Sequence, residues 1–316
     1  MGTHSNNAPP VRIGVDLGGS KVAAIALDGA GGERLRLRVP TPAGDYDGTV
    51  RAVAGLVAEI ERRLGTTGTV GIGIPGVMSP ATGLVKNANS VCLIGRPLDR
   101  DLEAALGRPV RIANDANCFA LSEATDGAAQ GAGVVFGIIL GTGVGAGAVI
   151  HGRVLVGANA IAGEWGHNPL PWPDAAELPG RACYCGKRGC IESFLSGPGL
   201  AADHAADVTA AREAACAPAE IAARAAAGDT RAEASLGRYE RRLAKALATI
   251  LNVLDPDVVV VGGGLSNLAR LYVRVPQLWG AYAFSDAIAT RFVPARFGDD
   301  SGVRGAAWLW PPPARN

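Results

Sequence analysis

Residues 14–29, GVDLGGSKVAAIALDG, and residues 137–152, GIILGTGVGAGAVIHG, are two versions of one pattern. Each is a short apolar run, a glycine turn and a second apolar run. Laid over one another without a gap, they match Gly14 to Gly137, Leu17 to Leu140, Gly18 to Gly141 and Gly29 to Gly152. Apolar runs joined by a glycine turn predict a β-hairpin. The same hairpin heading each half of the chain predicts two similar α/β lobes.

Working outward, RLRLRV (34–39) extends the first hairpin as a third strand. Residues 46–64 carry Val50, Val53, Ala54, Val57 and Ile60 at helical spacing. TVGIGIPG (69–76) reads as a buried strand entering a Pro-Gly turn, and LDRDLEAALG as a short helix closed by Gly107. VRIAND (110–115) is a strand whose end carries Asn114 and Asp115, with a helix following to about Ala124. In the second half, VVFGIIL (134–140) opens the repeated hairpin, and the Ala-rich stretch from Gly199 to Asn252 reads as helical. DVVVVGGG (257–264) is a buried strand, RFVPARFG (291–298) a last strand and SGVRGAAWLW (301–310) a last helix, stopped by Pro311 to Pro313. Residues 278–289 receive no role.

Composition narrows the function classes. The chain has 316 residues, 48% of them hydrophobic, and a formal net charge of +1. Such a chain buries a real core, which excludes intrinsic disorder. Near-neutrality excludes a strongly basic nucleic-acid footprint, and no apolar stretch reaches the roughly 20 residues of a membrane span. Residues 1–10, MGTHSNNAPP, read as a flexible extension without the basic and apolar pattern of a secretory signal. The expectation is a cytoplasmic protein, so six cysteines argue against a disulfide framework. Cys118, in an apolar helical run, reads as a small buried hydrophobe. The 44 glycines are about twice the usual share of roughly 7%. They cluster in loops, where exposed backbone can approach phosphate.

Three clusters carry chemistry. Asp16-Leu17-Gly18-Gly19-Ser20-Lys21 is neither a Walker loop nor a dinucleotide fingerprint, because a strand follows instead of a helix. Its turn can still present N–H groups to phosphate, with Asp16 placed to hold a Mg²⁺ hydration shell. Gly141-Thr142-Gly143 offers a second cradle, with Ile139 where Asp16 stands, and Gly262-Gly263-Gly264 a third glycine elbow; together they favour a nucleotide. Asn114-Asp115 at a strand-to-helix junction is either a helix cap or the site of a general base. Phosphoryl transfer to an alcohol uses a carboxylate to accept the hydroxyl proton, and Asp115 is the candidate. His167 with Cys183, Cys185 and Cys190 makes a Cys₃His set suited to a closed, structural Zn²⁺ site; free thiols or a redox pair are the alternatives. Glu164 and Glu192 flank that set, either to receive sugar hydroxyls or as solvated loop acids.

DLGGSK, NDAN, LGTGVGAG, GEWGH and CYCGKRGCIE, in that order, resemble the signature set of the ROK family of sugar kinases from about Val11 onward. The resemblance implies an α/β, actin/hexokinase-like (ribonuclease H-like) two-lobed fold with duplicated β-hairpin phosphate loops. It implies an N-terminal lobe of residues 11–117 plus 304–316, and a C-terminal lobe of residues 118–303 with a zinc knuckle at 167–190. It implies ATP, Mg²⁺ and structural Zn²⁺, a hexose substrate and a homodimer, with neither nucleic acid nor membrane as partner. By similarity Asp115 is the base, and Asn89, Asn114, Glu164, His167 and Glu192 contact the sugar. Asp16, Gly18 to Lys21, Gly141 to Gly143 and Gly262 to Gly264 serve the nucleotide. His167, Cys183, Cys185 and Cys190 hold zinc. Ser20 stands where the family usually has Thr, which keeps the hydroxyl.

Three stretches, TVGIGIPGVMSPATGLVKNANS, GEWGHNPLPW and GDDSGVRGAAWLWP, are most similar to bacterial fructokinases that also take mannose. The expected reaction is therefore phosphorylation of D-fructose to D-fructose 6-phosphate. NDANCFALSEA is shared with N-acetylglucosamine kinases, which with glucokinases form the alternative. A sugar-responsive repressor or non-catalytic sensor is the reading from another class. The short segment before the first strand, without net basic charge, and the intact Asp16 and Asp115 speak against both.

Overall fold

The computed structural model describes residues 11–206 and 216–310. The extension read at 1–10, part of the Ala-rich stretch (207–215) and the stop at Pro311 to Pro313 lie outside the described residues. The chain divides into two compact units. The first holds residues up to Asp126, Val156–Ile161 and the segment from Asp300; the second holds Gly127–Leu155 and Ala162–Asp299.

In the first unit, β1 (Val11–Leu17), β2 (Lys21–Leu27) and β3 (Glu33–Pro40) form an antiparallel meander. Helix α1 (Tyr46–Leu64) spans the predicted residues. Asp45 accepts from Gly48 N–H at its start, and Gly65, with φ of 64°, closes it; Val53, Leu56, Val57 and Ile60 form its buried stripe. Strand β4 (Gly68–Ile74) runs parallel to β1. A small ladder of β5 (Val77–Met78) and β6 (Val85–Lys86) precedes α2 (Leu98–Leu106). Strand β7 (Val110–Asn114) pairs parallel to β4 and leads into α3 (Asp115–Thr125). The strand order is β3-β2-β1-β4-β7.

The second unit repeats this plan. β8 (Val134–Leu140), β9 (Val144–Ile150) and β10 (Arg153–Val154) are antiparallel. After α4 (Glu192–Leu195), α5 (Gly197–Ala206), α6 (Pro218–Ala226) and α7 (Thr230–Leu254) comes β11 (Val258–Gly262), parallel to β8. Helix α8 (Leu271–Leu278) then leads to β12 (Arg291–Pro294), parallel to β11. The order β10-β9-β8-β11-β12 matches the first sheet strand for strand. The Ala-rich stretch is broken rather than continuous. Pro218 sits in the first turn of α6, and Asp229 caps α7 after the left-handed Gly228.

The two hairpins are not superimposable without a gap. Leu17 pairs with Val22, whereas Leu140 pairs with Val144, so the second loop is one residue shorter. The ungapped match therefore holds along the outgoing strands and slips by one residue on the return. Gly29 and Gly152 are not equivalent positions. A one-residue slip exchanges the faces of a strand, and loop length sets which register is taken.

The last helix, α9 (Ser301–Trp308), returns to the first unit. Three glycines admit it at backbone distance. A Cβ on Gly14 would lie 2.1 Å from the Val303 carbonyl oxygen, and one on Gly71 would lie 1.9 Å from that of Ala306. A Cβ on Gly305 would lie 1.6 Å from the Cys118 oxygen of α3. Boundaries drawn at 117/118 and 303/304 cut α3 and α9, but both helices stay whole in the first unit because each packs on the other.

Candidate active site

In the first unit the acids gather where parallel strands end. Asp16 pairs across to Gly73, and Gly73 to Ala113, two residues before Asp115. Gly73 adds no side chain to this row, and Cys118, fully buried as expected, lies beneath it, 3.3 Å from where a Gly73 Cβ would stand. Burial and the neighbouring Asp115 carboxylate push Asp16 up to about 6, against a partial offset from Lys21. Two carboxylates so placed favour a divalent cation nearby, and Asp16 fits a Mg²⁺ hydration shell. The first hairpin turn closes by Gly18 N–H to Lys21 O at 3.1 Å and leaves Gly19, Ser20 and Lys21 exposed.

Asn114 is the cap of α3: its side chain accepts from Ala116 N–H at 2.9 Å, and Asp115 Oδ1 accepts from the same N–H at 2.8 Å. The helix-cap reading thus falls on Asn114, and Asp115 is the first helical residue. The Pro75-Gly76 turn brings in Asn89. Asn89 N–H donates to Pro75 O at 3.0 Å, and Asn114 Nδ2 lies 3.5 Å from Gly76 O.

In the second unit, a cavity of about 670 Å³ has Gly141 and Thr142 of the second hairpin in its wall, with Gly197, Gly264, Pro218 and Leu265. Exposed backbone at one side and apolar side chains at the other suit a nucleotide's phosphates and base. The three glycines after β11 divide their work. Gly262 ends the buried strand, and Gly264 lines the cavity. Gly263, with φ of 80°, has its Cβ position 2.5 Å from Leu140 O.

The GEWGH stretch is a single turn, Glu164–His167, laid against β9. Cβ atoms on Gly163 and Gly166 would lie 2.3 Å from the Ala146 and Val144 carbonyl oxygens, so glycine is needed at both. Trp165 anchors the turn; it is buried, and its Nε1 donates to Ala246 O at 3.3 Å. Glu164 is left exposed, and Glu192 begins α4.

His167, Cys183, Cys185 and Cys190 converge, with their ligand atoms all within 4.8 Å of one another. Cys183 Sγ lies 3.6 Å from His167 Nδ1, and Cys185 Sγ 3.6 Å from Cys190 Sγ. Tetrahedral Zn–S and Zn–N bonds of about 2.3 and 2.0 Å imply S···N near 3.6 Å and S···S near 3.8 Å. Gly186 and Gly189 take left-handed φ of 85° and 72°, which folds the cysteines onto one point. Burial and the adjacent sulfurs push Cys190 up to about 12. The donor set and its spacing fit a structural zinc ion.

Two features escaped the sequence. Tyr184 sets its hydroxyl 2.9 Å from His167 Nε2. A buried ion cluster ties the loop between His167 and Cys183 to α7: Arg242 bonds Glu177 at 2.6 Å and Asp203 at 2.8 Å, with Lys245 3.5 Å from Glu177. Only the spacing of CYC placed Tyr184 near the knuckle. No local pattern signals the cluster.

The match to the ROK family spans residues 12–312. The chain belongs to the ROK family. N-acetyl-D-glucosamine kinase of Salmonella paratyphi B is 44% identical over 303 residues, covering 94% of this chain and 98% of that one. The crystal structure of a ROK hexokinase from Thermus thermophilus superimposes with a TM-score of 0.82 at 34% identity, over 94% of this chain and 96% of that one. A ROK family glucokinase from Streptomyces griseus, in complex with glucose and AMPPNP, gives 0.74 at 30%, over 95% and 98%. The actin/hexokinase-like two-lobed fold expected of a ROK protein is the one found. The expectation of fructose needs revision: likeness along the whole chain favours the N-acetylglucosamine alternative. The stretches read for fructose include β4, the small ladder, the Glu164–His167 turn and α9.

Proposed function

We propose that this ROK protein transfers the γ-phosphoryl group of ATP to the 6-hydroxyl of N-acetyl-D-glucosamine. That it is a ROK sugar kinase follows from its family and its relatives; the choice of sugar is the reading proposed. The observation that carries it is the 44% identity to an N-acetyl-D-glucosamine kinase over 94% of the chain.

The geometry supplies the parts. Asp115, at the first turn of α3, accepts the proton of the attacking hydroxyl. By family resemblance Asn89, Asn114, Glu164, His167 and Glu192 are the acceptor contacts. By the same resemblance the glycine turns Gly18 to Lys21, Gly141 to Gly143 and Gly262 to Gly264 serve the nucleotide, each with backbone N–H groups suited to phosphate. Asp16 would hold Mg²⁺ through its hydration shell, and the ion would supply positive charge to offset that of the phosphates. His167, Cys183, Cys185 and Cys190 would hold zinc as a cross-link that fixes the loop carrying these contacts. By family resemblance the protein is a cytoplasmic homodimer. Among the described residues no helix is long and apolar enough to cross a membrane.

The test is coupled ADP release with N-acetylglucosamine, N-acetylmannosamine, glucose, mannose and fructose side by side. N-acetylglucosamine is expected to show the highest kcat/KM, at least about tenfold above fructose, a difference of roughly 1.4 kcal/mol. A higher value for fructose would reverse the choice of sugar and leave the kinase.

A further inference from the structure

We propose that Glu192 is a positioning residue for the second phosphate hairpin as well as a sugar contact, so that one carboxylate couples acceptor to nucleotide. The inference rests on the nucleotide reading of that hairpin.

Glu192 Oε2 accepts a hydrogen bond from the backbone N–H of Val144 at 2.9 Å. Val144 is the residue at which the hairpin turn becomes β9. The carboxylate also lies over Gly143, where a Cβ would stand 2.8 Å from Oε2. No side chain fits between the turn and the acid. A second tie follows five residues on: Gly197 N–H donates to Gly141 O at 2.7 Å. Both ends of the turn Gly141 to Gly143 are therefore fastened to the segment that leaves the knuckle. On the other side, the Glu164–His167 turn presses Gly166 against the Val144 carbonyl oxygen. Val144 is held through its N–H by one candidate sugar contact, and the turn that carries two others packs against its carbonyl oxygen.

A short three-residue turn has few bonds of its own; here it has Gly141 N–H to Gly143 O at 3.0 Å. An ionised acceptor on a backbone N–H is among the stronger hydrogen bonds. Removing it frees the turn that must present its donors to phosphate. A cavity of about 270 Å³ opens beside the carboxylate, with Thr142 of the turn and Tyr184 of the knuckle in its wall. A sugar hydroxyl donating to Oε1 would fix the rotation of the group, and with it the bond from Oε2 to Val144. By reciprocity the nucleotide then favours the sugar to the same degree.

The test is calorimetric ADP binding to full-length protein without sugar, using Glu192→Ala and Glu192→Gln. The alanine variant is expected to bind ADP about tenfold more weakly and to exchange the Val144 amide faster. The glutamine variant keeps an oxygen that can accept from Val144, so its ADP affinity should return to within about twofold of wild type while its sugar KM stays raised. A role confined to the sugar leaves ADP affinity unchanged in both variants and overturns the inference. A general weakening of the fold predicts no such split between ADP and sugar in the glutamine variant, and that result overturns it too. Should the alanine variant not fold, Glu192→Asp keeps the charge but falls a methylene short of Val144, and unchanged ADP affinity there is equally decisive. Wild-type protein that binds no ADP would instead remove the nucleotide reading itself.

Discussion

The hydroxyl of Tyr184 lies 2.9 Å from Nε2 of His167, and the two rings meet edge to face with centroids 5.1 Å apart. With Nδ1 turned toward the three sulfurs, Nε2 is the nitrogen expected to meet a sugar hydroxyl; the chain's own phenol occupies that place. Partial burial of the hydroxyl and the Glu192 carboxylate push Tyr184 up to about 12, so it stays neutral. Its side chain is otherwise 78% exposed and has room to swing away. A sugar hydroxyl that takes this position must displace a bond worth on the order of 1 kcal/mol. Tyr184→Phe is therefore expected to lower the KM for sugar by about threefold with kcat unchanged. Steady-state kinetics check it, and a raised KM would make Tyr184 part of the sugar site.

Asp115→Asn keeps the shape at the start of α3 and removes the proton acceptor. Turnover should fall by about 10² to 10⁴, the usual range for loss of a general base. Sugar binding, measured calorimetrically, should survive. Near wild-type turnover would take the base away from Asp115.

Asp16 carries opposite consequences for stability and activity. Its folded-state value is about 6 and its ordinary value 3.8, so the folded protein holds this proton more tightly than the unfolded chain. Above pH 6 the buried charge therefore opposes folding, by about 3 kcal/mol. The penalty is relieved as pH falls from 6 toward 3.8. Asp16→Asn is expected to raise Tm by a few degrees at pH 7.5 without Mg²⁺, while turnover drops by at least about 10². Wild-type turnover should decline as pH falls through about 6. A variant no more stable than wild type would refute this account of Asp16.

Metal analysis of purified protein should find one zinc per chain. Cys185→Ser is expected to lose that ion and to lower Tm, because structural zinc contributes folding energy directly. Sequence separation of knuckle and hairpins suggests that the sugar site would loosen more than the ATP site. The ties from Val144 to Glu192 and from Gly141 to Gly197 lead us to expect weaker ADP binding as well. Fully active protein without zinc would remove the metal from the scheme.

Much of this was legible because it is written in local patterns. Glycine turns between apolar runs located both hairpins, helical spacing set α1 to the residue, and Asn-Asp after a strand marked the start of α3. The illegible parts join residues far apart in the chain. Val144 and Glu192 are 48 apart, and Arg242 and Glu177 are 65 apart. Neither partner advertises the other. The one-residue slip between the hairpins was hidden because both return strands, KVAAIAL and VGAGAVI, lack a charged or polar marker inside the strand that would fix their register. Sugar choice was misleading because three short stretches were weighed above likeness along the whole chain.

The three-glycine seat of α9 also bears on how the protein emerges from the ribosome. Gly14 and Gly71 are synthesised early, and the backbone that must cover them follows more than 200 residues later. The second unit has its own strands and helices in hand before α9 is made. The first unit, although begun earlier, keeps the apolar face of β1 and β4 uncovered throughout that interval. Its assembly thus runs against the order of translation, and the exposed sheet is where a holding chaperone would find this nascent chain.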